Sequence, residues 1–453
     1  MSVRSASRSY DSRETATVGT ATDDNDHVIK FQDVLKASAK IQGIAYKTPV
    51  MTSTSLNELA GDRRLFFKVE ALQRTGSFKF RGALNATLCL VDDLLDDENN
   101  DDNKNVGENE DEFNIDEDEY TQLSRDYESQ IGSVDTSRSN RSKRSASRPR
   151  TITTGAPEKG LHIVTHSSGN HAAAVALAAD LASDGLYNGY DRDLDVRATI
   201  VMPKNAPDVK VAGVKGYGGE IVMVESTNKA REQMANYILK EQKAAFIHPS
   251  ENPKVIAGQG TVCLEFVDQV KQILENEFED DEDEEEEEEH NDLDVVIIPV
   301  GGGGLAAGNA IALRGLLGDY VRIVLAEPAN MDDAKRSKDA GELLGHDPYN
   351  PKDTVADGLK TTLGPNTWPV VRDLVDDIIT VSEEDILRAT KLIWDRLKIC
   401  IEPSAGTGFA VALSEEFQSK YRIDLGYENV GIILCGGNVD LTRVAKKMYM
   451  IGL

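Results

Sequence analysis

Val295-Val296-Ile297-Ile298-Pro299-Val300-Gly301-Gly302-Gly303-Gly304-Leu305 is an apolar run that ends in four glycines and leads into a helical stretch from Leu305 to Leu316. A short β-branched segment with no polar alternation reads as a strand covered on both faces, and the glycines mark a tight turn into a helix. Similar apolar segments recur at His162 to Thr165, Thr199 to Met202, Ile221 to Val224, Ala245 to Ile247, Ile323 to Ala326 and Gly431 to Leu434, most of them followed by helical patterns. Strands separated by helices predict an α/β fold with parallel sheets. Folds of that class bind ligands beyond the carboxyl ends of their strands, which is where the chemically suggestive residues of this chain fall.

The tetraglycine turn lets backbone N–H groups converge on an anion at a helix start, so it reads as a phosphate cradle. Gly301-x-Gly303-x-x-Ala306, followed by Glu327 at the end of the next strand, equally fits a nicotinamide dinucleotide site, and this segment alone leaves both readings open. Thr165-His166-Ser167-Ser168-Gly169-Asn170-His171 also joins a strand to a helix, which runs through Ala182. Its small residues suit a carboxylate, although Ser and Asn are ordinary helix caps. Leu434-Cys435-Gly436-Gly437-Asn438 ends the last strand with a thiol at the same edge. Core burial is the plainer account of that cysteine. In Ser77-Phe78-Lys79-Phe80-Arg81-Gly82-Ala83 a lysine lies between two phenylalanines, where desolvation would lower its pKa and free the amine for Schiff-base chemistry. A lysine can also bury its stem and extend its head to water.

The formal net charge of −28 resides mostly in two segments. Residues 92–160 hold 19 acids and 9 bases, and residues 275–292 hold 14 acids and no base, so the rest of the chain carries only −4. A nearly neutral body argues against nucleic-acid binding. No apolar run is long enough for a membrane span. The four cysteines are widely spaced, with no zinc-ligand pattern, and a reducing, cytoplasmic setting is expected. Residues 1–30 read as a disordered tail. Residues 92–160 read as a disordered insertion, acidic and then Ser/Arg-rich, and residues 275–292 as a second, acidic insertion.

Taken in order, these motifs resemble the serine racemase and serine/threonine dehydratase branch of the pyridoxal-phosphate (PLP) enzymes of fold type II. His248 to Thr261, Ala356 to Ile378 and Leu397 to Gly408 extend the resemblance over nearly all of the chain outside the tail and insertions. It favours the phosphate reading of the glycine loop. It implies a tryptophan synthase β-like fold of two open α/β domains with the cofactor in the cleft between them, the larger formed by residues 31–91 plus 252–453 and the smaller by 161–251. It also implies that Lys79 forms the Schiff base, with Phe78 beside it. Gly301, Gly302, Gly303 and Gly304 would hold the phosphate, Asn170 the ring hydroxyl, and Cys435 would approach the pyridine nitrogen.

Ser168 matches the second acid/base of racemases, where related dehydratases carry Ala. Ser167, Ser168, Asn170, His171 and Arg231 are the implied substrate contacts, with Glu232 beside Arg231. Glu327, Met331 and Asp333 match a loop that binds Mg²⁺ or Ca²⁺. Tyr217, Lys398 and Asn438 match a nucleotide surface at a homodimer interface, but Ala173 and Arg74 depart from the pattern there, so ATP as an effector is not carried over intact. Ser250 stands where racemases have Asn. The expected activity is interconversion of L- and D-serine with β-elimination to pyruvate and ammonia. The alternatives are a serine/threonine dehydratase, a 3-hydroxyaspartate dehydratase and, remotely, a catalytically degenerate scaffold.

Overall fold

The computed structural model of the chain describes residues 27–99, 117–131, 160–167, 169–184, 194–206, 208–278, 292–346 and 353–453. Among the described residues ten strands form two sheets: β1 Val50–Met51, β2 Arg64–Val69, β3 Gly160–His166, β4 Asp195–Pro203, β5 Glu220–Val224, β6 Ala245–Phe246, β7 Val295–Pro299, β8 Arg322–Pro328, β9 Asp377–Val381 and β10 Asn429–Leu434. The larger sheet has the order β1-β2-β10-β7-β8-β9 and the smaller β5-β4-β3-β6. All pairings are parallel except β1 with β2. Every residue of β7 and β10 is buried, which accounts for their uninterrupted apolar sequence.

β1, β2 and β9 lie outside the strand segments expected from the sequence. In β2, Arg-Leu-Phe-Phe-Lys-Val, the charged residues hide a central strand. Lys68 is fully buried, and its ammonium donates to Thr48 O (2.8 Å), Glu265 Oε2 (2.9 Å) and Gln269 Oε1 (2.7 Å). A buried charge is tolerated when it is paired in this way.

The helix Lys79–Asn99 joins the two sheets. Its Phe80, Ala83, Leu84 and Leu88 lie in the same buried cluster as Ile163, Ala198 and Ile200 of the smaller sheet. Its opposite side meets the helix Pro253–Phe278 so closely that a Cβ on Gly258 would come within 2.6 Å of Gly82 Cα. The helix therefore packs against both units.

Three segments read as disordered carry structure. Ile29 is buried against the main core. Residues 92–99 continue the helix from Lys79, and Glu117–Ile131, inside the first insertion, is a helix. Its apolar residues recur at helical spacing within an acidic background, and they find a surface to cover. The remainder of the expected tail and insertions, at 1–26, 100–116, 132–159 and 279–291, lies outside the described residues. Among the described residues no helix is long and apolar enough to cross a membrane.

Candidate active site

The carboxyl ends of β3, β7 and β10 deliver their loops to one cleft between the sheets. Lys79 opens its helix there. The backbone leading to it is pinned to the end of β10: Ser77 bridges Gly436, and Phe78 N–H donates to Cys435 O at 3.1 Å. Lys79 Nζ donates to Pro249 O at 2.8 Å and lies 5.0 Å from the centre of the Phe78 ring. Burial lowers its pKa to about 8, against smaller opposing effects of Cys435 and Glu402. A far larger share of the amine than in an ordinary lysine is then unprotonated near neutral pH, as nucleophilic attack on a carbonyl requires.

At the tetraglycine turn Gly303 has φ +80°, a left-handed conformation natural to glycine, and a Cβ there would lie 2.6 Å from Leu363 Cδ2. A Cβ on Gly302 would approach Ser250 Oγ to 2.7 Å. The helix Gly304–Leu317 follows directly, so its first N–H groups face the turn without intrahelical partners. The turn is thus a bare-backbone cradle at a helix N-terminus, suited to a phosphate.

On the other wall, the helix Asn170–Ser183 begins at the end of the β3 loop. Ser167 Oγ accepts the N–H of Gly169 at 3.2 Å. Ser168 lies outside the described residues. Asn170 is held at both ends of its amide. Its Nδ2 donates to Glu402 Oε1 and Oε2 (3.0 and 3.2 Å), and its Oδ1 accepts from Asn438 Nδ2 at 2.9 Å. Glu402 precedes the helix Pro403–Leu413 of the larger unit, so these contacts cross the cleft, as does the ion pair of Lys210 with Asp357 at 2.7 Å. Burial raises the Glu402 carboxyl to about 7, assisted by the charge of Asp357. It was not singled out from the sequence, although it is a lone acid after the apolar pair of Cys400 and Ile401.

Burial pushes the Cys435 thiol well above its ordinary pKa and the imidazoles of His171 and His248 down to about 3 and 4, so all three are neutral at physiological pH. His171 is fixed by its Nε2 against Ile247 O at 3.1 Å. Arg231 sits on the helix Asn228–Gln242, and its charge reinforces the burial that lowers the pKa of His166.

Glu327 ends β8. Its carboxylate accepts the N–H groups of Ala334 (2.8 Å) and Lys335 (2.9 Å) at the start of the helix Asp333–Ala340. Burial raises the Glu327 carboxyl to about 8, with backbone N–H groups opposing and Asp333 adding to the rise. Burial likewise raises Asp333 to about 6. Met331 is buried in the intervening turn. Among the described residues no group of three or more His, Cys, Asp or Glu side chains is placed to hold a metal. What is present is two buried carboxyls, with burial raising the cost of ionising each.

A cavity of about 440 Å³ adjoins the cleft and is lined by Asn170, Ala173, Tyr217, Glu402 and Asn438, among others. It collects two of the three expected nucleotide residues but not Lys398.

The residues present fit PLP. A desolvated lysine, a glycine cradle for a phosphate and a neutral thiol share one cleft, and Ser77 Oγ and His171 Nδ1 are buried without a hydrogen-bond partner. Comparison with known proteins agrees. The family model for pyridoxal-phosphate dependent enzymes matches residues 143–436. Serine racemase of Rattus norvegicus is 37% identical over 419 residues, covering 92% of this chain and 96% of the relative. The structure of maize serine racemase aligns with a TM-score of 0.65 at 34% identity, covering 93% of this chain and 98% of that one. The structure of a T.th. threonine deaminase gives 0.65 at 32% identity, with 91% of this chain and 99% of that one covered. This chain belongs to the family of pyridoxal-phosphate dependent enzymes.

Proposed function

We propose that the chain is a serine racemase that also eliminates water from serine to give pyruvate and ammonia. The observation that carries the reading is the meeting of Lys79, the glycine turn and the neutral Cys435 thiol in one cleft. The relatives named above support serine as the substrate. PLP, when bound, supplies an electron sink for negative charge at the substrate's α-carbon. The residues of the chain divide the remaining work.

N–H groups of Gly301 to Gly304 would hold the cofactor phosphate. Asn170, fixed by Glu402 and Asn438, would meet the ring hydroxyl. Cys435, uncharged, would lie near the pyridine nitrogen and offer no negative charge to hold a proton there, so the sink would stay moderate. Lys79 would hold the cofactor, and its amine would take or return the α-proton on one face. The turn from Ser167 to His171 binds the substrate carboxylate at a helix N-terminus, with Arg231 as a further contact. Ser168 exchanges the proton on the opposite face, which separates racemisation from elimination.

Purified enzyme, sized by ultracentrifugation as an expected homodimer, should convert L-serine to both D-serine and pyruvate, measured separately with and without ATP. A Ser168→Ala variant should lose D-serine formation by roughly a hundredfold or more, the usual worth of a positioned acid/base, while keeping elimination from L-serine. Pyruvate without D-serine from the wild type would replace this reading with the dehydratase one, which the likeness to threonine deaminase favours as second choice. Equal loss of both activities in the variant would show that Ser168 has another role.

A divalent cation at Glu327, the Met331 carbonyl and Asp333 is also proposed, since it would neutralise two crowded buried carboxyls. Mg²⁺ or Ca²⁺ at about a hundred times its dissociation constant should stabilise the fold by ~2.7 kcal/mol, and Glu327→Gln should abolish that gain. Differential scanning fluorimetry with EDTA, Mg²⁺ and Ca²⁺ reads this. An unchanged melting temperature in all three sinks the site.

A further inference from the structure

The helix Glu117–Ile131 belongs to the insertion, yet it completes the smaller unit. Strand β5 is an edge of the four-stranded sheet, and an open edge presents unpaired N–H and C=O groups. At Met223 both are taken by one side chain. Gln130 Oε1 accepts the Met223 N–H at 2.6 Å, and Gln130 Nε2 donates to Met223 O at 3.1 Å. A side-chain amide thus takes the place of the next strand. One turn earlier Tyr127, only 6% exposed, packs with Val222, Val224, Met234 and Ile238. Its ring centre lies 5.8 Å from that of Tyr237, and Leu123 packs against the same cluster. Tyr127 is therefore a core residue of the smaller unit supplied by the insertion.

Tyr237 lies on the helix Asn228–Gln242, which also carries Arg231 in its first turns. Met234 and Ile238 of that helix lie in one buried cluster with Val164 of β3, and His166, on which the Arg231 charge acts, is the last residue of β3 before the loop at Ser167. One rigid element thus links the insertion helix at its back to the substrate loop at its front.

We propose that the helix Glu117–Ile131 is a docked clamp of the smaller sheet that positions the helix Asn228–Gln242, and with it Arg231, so that the insertion governs substrate affinity from behind. This rests on the reading of Arg231 as a substrate contact. Tyr127 and Gln130 are positioning residues, since neither lies among the cleft residues described above.

The test uses full-length, PLP-loaded enzyme. In the Tyr127→Ala/Gln130→Ala variant, hydrogen exchange read by mass spectrometry should accelerate in peptides spanning 220–224 and 228–242. The KM for serine should rise roughly two- to thirtyfold, the span of remote coupling energies, with kcat changed less than about twofold. Tyr127→Phe keeps the ring and should restore wild-type behaviour. Gln130→Ala alone removes only the edge contacts and remains informative if the double variant folds poorly. Unchanged exchange at 220–224 would mean that the clamp is not docked. Faster exchange with unchanged KM would mean that it is docked but controls nothing. Exchange is indifferent to which reaction the enzyme performs, so failure of the racemase reading is seen separately, in the products.

Discussion

Lys79→Ala is expected to abolish both D-serine and pyruvate formation, by on the order of 10⁴-fold or more, as loss of a covalent catalytic group does. Its fold should persist. The ammonium that is removed donates to Pro249 O, but burial has already made its charged form unfavourable, lowering its pKa from 10.5 to about 8. Because the folded state holds this proton less tightly than the unfolded chain, the residue's contribution to stability improves as pH rises from about 8 towards 10.5. The alanine variant should lack that part of the stability profile and melt no lower than wild type at pH 7. Lys79→Arg keeps the charge, cannot deprotonate, and should be as inactive as alanine. Attachment of PLP to apoenzyme, trapped by borohydride and mapped by peptide mass, should quicken as pH rises through about 8 and then level off. Label on another lysine, or turnover by Lys79→Ala within tenfold of wild type, would remove Lys79 from the centre of the reaction.

The loops that make the cleft were legible because their composition has a local cause. Gly303 needs a left-handed backbone, Ser167 and Asn170 sit at a helix start, and β7 and β10 are apolar throughout because both faces are covered. Glu402 was not legible, because its partner Asn170 is 232 positions away in sequence. Nor was β2, whose Lys68 looks like a surface residue until Glu265 and Gln269 arrive from a distant helix. The insertion helix was hidden for the opposite reason. Leu123, Tyr127 and Gln130 recur at helical spacing, but the surrounding charge runs dominate the composition, and the surface they cover is formed by residues about a hundred positions later. Local signals report turns and covered strands, whereas buried polar pairings are set by tertiary contact and leave little trace in a window of sequence.

The arginine of the lysine motif illustrates the same point, and its replacement is the second large effect expected. Arg81 is completely buried two residues after Lys79. Its guanidinium is bidentate to Glu70 (Nε to Oε2 2.9 Å, Nη2 to Oε1 2.8 Å) and to Glu265 (2.8 Å from each of two nitrogens). Removing one partner of a buried network leaves uncompensated charge, so Arg81→Met should cost ~3–5 kcal/mol, a fall in melting temperature of roughly 3–7 °C for a chain of this size. The cause can be separated from lost packing. If unpaired charge is responsible, adding Glu70→Leu to Arg81→Met should recover part of the loss. Equal destabilisation of the single and double variants would assign the effect to volume instead. The pH profile provides a second check. Burial tends to raise Glu265, but its bonds with Arg81 and Lys68 outweigh that and hold it below the usual carboxylate value. Its contribution is therefore present above the ordinary carboxylate range and is lost as pH falls through the depressed value. Arg81→Met should flatten that acid limb in thermal melts. Because Arg81 anchors the first turn of the helix that carries Lys79, the same variant should also lower kcat, so the network supports catalysis by fixing where the lysine begins.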